Sequence, residues 1–207
     1  MPFTFTRLNI SDVILAEPQI FSDDRGLFFE SFKESDFFSS GIKNNFVQDN
    51  ISHSLQGVIR GLHFQKLPKA QAKLVSAIKG EIFDVAVDIR KNSQTYGKWV
   101  GEILSEENHK LLYIPEGFAH AYYSMSDLNV IYYKLSNYYH PEYEDGILWN
   151  DNLYKKNWPT KNPIVSKKDR KLKTFLNFKK IFNKKNSLKD FPSKPFMNLS
   201  KLNKLIK

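Results

Sequence analysis

Between positions 58 and 139 the apolar residues come in short bursts: VIRGLHF, KLVSAI, EIFDVAVDI, KWVGEIL, LLYI, HAYYSM and VIYYKLSNYY. Turn-forming pieces such as KLPKAQA, KG, RKNSQTYG, SEEN, PEG and SDLN separate them. Bursts of this length, rich in β-branched and aromatic residues, predict strands joined by close turns. No long helical period interrupts them, so the pattern predicts an all-β antiparallel sandwich or barrel. Upstream, DVILAEPQIF and GLFFESF predict further strands, and ESDFFSSGI predicts a short helix. In EIFDVAVDI one face takes Phe83, Val85, Val87 and Ile89 while Asp84 and Asp88 fall on the other. Strand alternation then makes the aspartate face one that opens to solvent or to a polar cavity.

After about position 150 the pattern weakens. Residues 171–185 scatter their apolar positions round most of a helical wheel, which does not support a helix lying in a membrane. The reading is one β domain over residues 1–174, followed by a basic, loosely ordered extension over 175–207.

Composition changes this picture in two places. The chain of 207 residues is 41% hydrophobic and 14% aromatic, enough for one substantial core. Its net charge of +9 invites a nucleic-acid reading. Residues 167–207, however, hold 14 Lys or Arg against Asp169 and Asp190, while residues 1–166 hold 17 against 20 acids. The basicity belongs to the tail. The absence of Cys rules out disulfides, thiolate metal sites and a thiol nucleophile, and suits a reducing compartment. MPFTFTRLNI lacks a basic segment followed by an apolar run, and no run of about 18 apolar residues occurs. The expectation is a soluble, cytoplasmic protein with no membrane span.

Candidate chemistry centres on VIRGLHFQ, which places Arg60 and His63 within a strand where both are costly to bury unpaired. Strict alternation would send the two to opposite faces, so a bulge at Gly61 is expected. His63 can serve as a base near neutral pH, although an isolated His is more often simply hydrogen-bonded in a core. In VIYYKLS the apolar parity of Ile131 and Leu135 makes Tyr133 the inward phenol, a packing residue or a proton donor. Lys73 can be a solvated lysine or sit over a developing enolate oxygen. A metal is disfavoured: none of the five His lie two, three or four residues apart. PEGFAH matches only the second half of the metal-binding pattern of cupin barrels, and His63-Phe64-Gln65 stands where His-x-His is wanted. Neither dinucleotide nor P-loop glycine patterns occur.

Nine pieces in order carry a resemblance: DDRGLFFESF, FVQDNIS, GVIRGLHFQ, AQAKLV, GEIFDVAVDIR, TYGKWVGEILSEEN, YIPEGFAHAYY, IYYKLSNYYHPEYEDGILWND and IVSKKD. Over roughly positions 8–170 the chain resembles the sugar-nucleotide epimerases typified by dTDP-4-dehydrorhamnose 3,5-epimerase, whose fold is a cupin-like jelly-roll barrel with a few short peripheral helices. The resemblance implies His63 as general base, Asp169 as the carboxylate orienting it, Tyr133 as the acid on the opposite face of the sugar, and Lys73 as stabiliser of the enolate. It implies nucleotide and sugar contacts at Arg25, Glu30, Gln48, Asn50, Arg60, His120, Glu144 and Lys168, and an aromatic against the base at Tyr138. It further implies a dTDP-4-keto-6-deoxy sugar substrate, no cofactor, no metal, and a homodimer sharing an N-terminal strand. Ala121 departs from a frequent Gly, and KLPKAQA varies the turn before the lysine.

Three rivals remain at this level. One is an epimerase inverting only C3 or acting on another nucleotide-linked sugar, which would use the same residues. A second is a non-catalytic sugar-nucleotide-binding barrel, which would need neither base nor acid. A third is a nucleic-acid or anionic-surface binder driven by the tail, whose mark would be steep salt dependence lost on removal of residues 175–207.

Overall fold

The computed structural model describes residues 2–154 and 158–184, with side chains through Lys179. Two sheets face one another. The first runs in the order β1 (Phe3–Arg7), β2 (Ile14–Pro18), β10 (Leu111–Ile114), β7 (Lys73–Lys79), β12 (Leu128–Leu135), β5 (Gln48–Leu55). The second runs β13 (Glu144–Gly146), β6 (Val58–Gln65), β11 (Phe118–Ser124), β8 (Glu81–Asp88), β9 (Trp99–Ser105), with β14 (Ile164–Val165) added parallel to β6. Apart from β14 every registered pair is antiparallel. A separate hairpin joins β3 (Phe21–Asp23) to β4 (Gly26–Phe28), and ESDFFS forms the expected short helix α1 (Glu34–Ser39). The result is an antiparallel barrel, as the strand pattern predicts, with the jelly-roll form that the resemblance implies.

Three apolar clusters follow from strand parity. The interior takes Val75, Leu112 and Ile131 from the first sheet and Ile82, Ala86, Leu104 and Phe118 from the second. The outer face of the first sheet, with Ile14, Leu74 and Leu111, is covered by Phe37 of α1. The outer face of the second, with Val85, Val87 and Ala119, is covered by chain that follows the barrel: Tyr154, Trp158, Phe175 and Phe178. Phe175 and Phe178 lie on helix α2 (Phe175–Lys184), 7% and 3% exposed. The start of the extension placed at 175 is thus a structural part of the barrel wall, because its two phenylalanines cover strands that would otherwise face water. The rest of that extension, residues 185–207, lies outside the described residues.

The aspartates of β8 also need a correction to their expected surroundings. Both are fully buried. Asp84 shares the interior-facing parity of Ile82 and Ala86 and lies behind the cavity-lining His120, to which it is hydrogen-bonded, whereas Asp88 is closed into a network with Arg90, Ser93 and Thr95.

Candidate active site

The bulge at Gly61 brings the two chemical groups of VIRGLHFQ to one side. Arg60 pairs with Tyr122 and His63 with His120, so β6 takes three steps where β11 takes two. That odd step cancels the alternation separating residues 60 and 63, and both line the same cavity. Only Gly can sit between them: Gly61 has φ of 135°, and a Cβ there would fall 2.3 Å from Ala121 Cβ and 2.6 Å from the His120 carbonyl oxygen.

The cavity has two lobes that meet at His63, Lys73 and Tyr133. His63 stands on β6 of one sheet; Lys73 and Tyr133 stand on β7 and β12 of the other. One lobe, of about 490 Å³, adds Arg60, His120, Tyr122, Lys168 and Asp169. The other, of about 360 Å³, adds Gln48, Asn50, Gln65, Gln71, Tyr139 and Glu144.

His63 Nε2 lies 2.7 Å from Asp169 Oδ1. With Asp169 accepting from Nε2–H, the lone pair is left on Nδ1. Burial pushes the Asp169 carboxyl up, but the hydrogen bond and charge of His63, with further hydrogen bonds from Gly61 and Ser166, hold it below the ordinary carboxylate range. Ser166 also fixes this segment by accepting from the Asp169 backbone N–H at 3.0 Å.

A second histidine–carboxylate pair faces the first. His120 Nε2 is 2.6 Å from Asp84 Oδ1, and its Nδ1 is 3.5 Å from Lys73 Nζ. Burial lowers the His120 pKa, the Asp84 charge opposes that, and Lys73 lowers it further, leaving a net depression. The Lys73 ammonium is pushed down to about 8 by burial, against the pull of Asp84 and Glu144. Asp84 Oδ2 is buried and has no hydrogen-bond partner among the described residues. His120 was expected to contact the nucleotide sugar. The structure sets it among the cavity-lining groups, but holds it between Asp84 and Lys73.

At the mouth, Glu144 Oε2 accepts from Lys168 Nζ and Tyr139 Oη, each at 2.5 Å. Burial raises the Glu144 carboxyl, and these donors with the His63 charge reverse it to a lowered value. Gln48 and Asn50 are joined by a 3.0 Å hydrogen bond, and Gln48 Oε1 accepts from the Tyr139 backbone N–H at the same distance. Arg60 is held by Ser54 Oγ and the His53 carbonyl, both at 3.1 Å.

Three expected contacts are not brought to this cavity. Arg25 is on the β3–β4 hairpin, its side chain 89% exposed and paired with Asp23 at 2.6 Å. Glu30 is half-buried away from the cavity, with Oε2 unpartnered among the described residues. Tyr138 is 61% exposed and its ring lines neither lobe; the next residue, Tyr139, does, because Gln48 and Glu144 turn it inward. Sequence reasoning also passed over Gln65, Gln71 and Tyr122. The doubled tyrosine at 138–139 carries no parity signal once the strand has ended. Asp84 was legible as a polar residue on the interior side of its strand, without its partner His120.

Comparisons with known proteins converge on one family. The family model described as dTDP-4-dehydrorhamnose 3,5-epimerase matches residues 7–177. The dTDP-4-dehydrorhamnose 3,5-epimerase of Methanothermobacter thermautotrophicus is 49% identical over 174 residues, covering 83% of this chain and 94% of the relative. That of Escherichia coli K12 is 51% identical over 170 residues, covering 81% and 92%. A crystal structure of dTDP-6-deoxy-D-glucose-3,5-epimerase from Legionella pneumophila, in complex with dTDP-4-keto-L-rhamnose, superposes with a TM-score of 0.84 at 41% identity, covering 92% of this chain and all of that one. With this match spanning the barrel, and with an imidazole, a phenol and a buried lysine meeting where the two lobes of its cavity join, the chain belongs to the dTDP-4-dehydrorhamnose 3,5-epimerase family.

Proposed function

We propose that this protein inverts C3 and C5 of dTDP-4-dehydro-6-deoxy-D-glucose to give dTDP-4-dehydro-L-rhamnose. The observation that carries this reading is the meeting of His63, Tyr133 and Lys73 at one junction, base and phenol coming from facing sheets. The C3 and C5 hydrogens are acidic because the C4 carbonyl accepts the charge left by their removal. His63 Nδ1 takes the proton from one face of the sugar, and Asp169 steadies the imidazolium. The enolate charge gathers on O4, where a Lys73 ammonium in a water-poor site stabilises it strongly. Tyr133 returns a proton from the opposite face and the centre is inverted. One proton leaves and one arrives at each carbon, so the balance needs no oxidant or reductant.

The lobes divide the substrate. Arg60 and Lys168 present a guanidinium and an ammonium to the diphosphate, the guanidinium pre-set by Ser54 and His53. Gln48, Asn50 and Tyr139 line the other lobe. The same reading takes the chain as a cytoplasmic homodimer. Its hairpin displays Arg25 beside Phe21, Leu27 and Phe28, which are 50%, 55% and 67% exposed, an apolar ribbon suited to a second copy.

The test is incubation with dTDP-4-dehydro-6-deoxy-D-glucose in heavy water, following C3 and C5 by NMR. Deuterium enters both positions and the L-rhamno product forms. Deuterium at C3 alone would reduce the enzyme to a single-centre epimerase; none at either carbon would refute the reading. In Tyr133→Phe, deuterium exchange persists while inversion is lost at one or both centres.

A further inference from the structure

Two inversions on one bound sugar pose a problem that a single inversion does not. Under the two-centre reading proposed above, the first inversion leaves His63 holding the proton it removed and Tyr133 without the one it gave. The second cannot begin until both are reset. His63, 29% exposed and within range of the Glu144 charge at the mouth, sheds its proton outward. Tyr133 is placed differently. It packs against the interior cluster, its ring lines both lobes, and it forms no hydrogen bond with a described residue, so a bound sugar shuts water away from its hydroxyl. Lys73 can hand it a proton, but a lysine that does so is neutral when the second enolate needs its charge.

Beside Tyr133 lies a phenol that the mechanism has not used. Tyr122 is 4% exposed, lines the lobe that holds Arg60 and Asp169, and belongs to the interior cluster against which Tyr133 packs. From β11 of the second sheet its hydroxyl crosses to β5 of the first, reaching Ser52 Oγ at 2.8 Å and Ser54 Oγ at 3.1 Å. The pairing of β5 with β12 sets Ser52 opposite Ile131 and Asn50 opposite Tyr133, so Ser52 is the diagonal neighbour of Tyr133 on that sheet. A buried tyrosine is ordinarily satisfied by one partner; here two hydroxyls converge on one phenol oxygen. Arg60 Nε–H donates to Ser54 Oγ at 3.1 Å, occupying one of its lone pairs and favouring Ser54 as a donor toward Tyr122. With serine hydrogens directed at its oxygen, Tyr122 has its own hydrogen to offer to the lobe.

The electrostatics suit a phenol that carries charge only in passing. Burial raises the Tyr122 pKa and the nearby Tyr133 adds to the rise, so the resting hydroxyl keeps its proton. The hydrogen bonds of Ser52 and Ser54 and the charge of Arg60 pull the other way and ease a transient phenolate.

We propose that Tyr122 and Ser52, braced by Ser54, form a proton relay that recharges Tyr133 between the two inversions. The Tyr122 hydrogen passes to the Tyr133 phenolate, the Ser52 hydrogen passes to Tyr122, and Ser52, half-buried on the edge strand β5, takes its replacement from solvent. One proton enters there and one leaves His63, so hydrogen and charge balance while Lys73 stays an ammonium. Tyr122 acts through Tyr133 rather than on the sugar. The inference rests on the two-centre reading.

The test follows each stereocentre by NMR after rapid quenching, with enzyme in excess over dTDP-4-dehydro-6-deoxy-D-glucose in heavy water. In the parent both centres invert with little singly inverted sugar. In Tyr122→Phe the singly inverted sugar accumulates, because the second inversion slows by about tenfold or more relative to the first. Ser52→Ala keeps the phenol and cuts its supply at a half-buried position, and it shifts the same ratio in the same direction by less. Tm and dTDP affinity report on the fold and on the Arg60 anchor. Equal slowing of both inversions overturns the relay, since lost packing slows both alike, and so does an unchanged ratio. A ratio moved by Tyr122→Phe and untouched by Ser52→Ala also overturns it, because Tyr122 would then be donating to the sugar itself. A parent that inverts one centre only overturns the two-centre reading and the relay together, whereas every other adverse result strikes the relay alone.

Discussion

Asp169→Asn isolates the charge beneath the proposed base while leaving its shape. The carboxylate is 5% exposed and 2.7 Å from His63 Nε2, and the backbone that carries it is pinned independently through Ser166. The amide fits the same space, so the fold and the nucleotide lobes are retained. What changes is the stabilisation of the imidazolium formed as C3–H or C5–H is broken. With charge centres about 4 Å apart and an effective dielectric of about 20, the lost attraction is about 4 kcal/mol, or roughly a thousandfold in rate. An Asn NH₂ pointing at Nε2 also favours the tautomer with its proton on Nδ1, where the lone pair is needed. The assay is kcat for deuterium uptake at C3 and C5, with dTDP affinity and Tm as controls. The expected result is a loss of about a thousandfold or more in exchange at both carbons, with dTDP affinity near the parent value. A variant exchanging within tenfold of the parent, correctly folded, would refute His63–Asp169 as the base.

Lys73 is pushed down to about 8 by burial, so it is a cation below that pH and neutral above it. The kcat for epimerisation therefore falls as pH rises through about 8, and Lys73→Arg moves that limb upward; a limb unchanged in the Arg variant assigns it elsewhere. Gly61→Ala forces a Cβ to 2.3 Å from Ala121 Cβ at a φ of 135°, and is expected to cost about 3 kcal/mol, or about 6–12 °C in Tm by calorimetry. Phe178→Ala empties a site 3% exposed and costs about 3–5 kcal/mol in denaturant unfolding; a neutral result would remove α2 from the barrel's stable core.

The strands, the helix at ESDFFS and the inward direction of Tyr133 were legible because each follows from a local rule: burst length, turn chemistry, parity of apolar neighbours. Even the bulge was legible, since Arg60 and His63 cannot share a face of a regular strand and Gly61 is the residue that permits the exception. Residues whose place depends on what packs over them were not. Asp84 and Asp88 read identically in EIFDVAVDI, yet one meets His120 in the cavity and the other closes on Arg90, a distinction set by loops far along the chain. Tyr139 was missed because Gln48, a strand away, fixes it. Phe175 and Phe178 were not read as anchors because the outer face of the second sheet, which they cover, comes from strands far back along the chain.

The two histidine–carboxylate pairs explain why equal chemistry does not give equal roles. Each ring gives Nε2 to an aspartate, at 2.7 Å for His63 and 2.6 Å for His120, so each has one nitrogen left to work with. His120 has its Nδ1 turned to Lys73, and its side chain is 9% exposed. His63 is 29% exposed at the junction of the lobes, and its Nδ1 has no partner among the described residues. Proton abstraction needs a lone pair that substrate can reach, which only His63 offers. The buried pair instead sets the electrostatics of the lysine. Asp84, its Oδ2 unpartnered among the described residues, favours the ammonium that burial disfavours, and a neutral His120 can accept from that ammonium without adding a competing positive charge. In the proposed mechanism the cavity separates its two tasks between look-alike pairs: one moves the proton, and the other keeps a cation where the enolate oxygen would form.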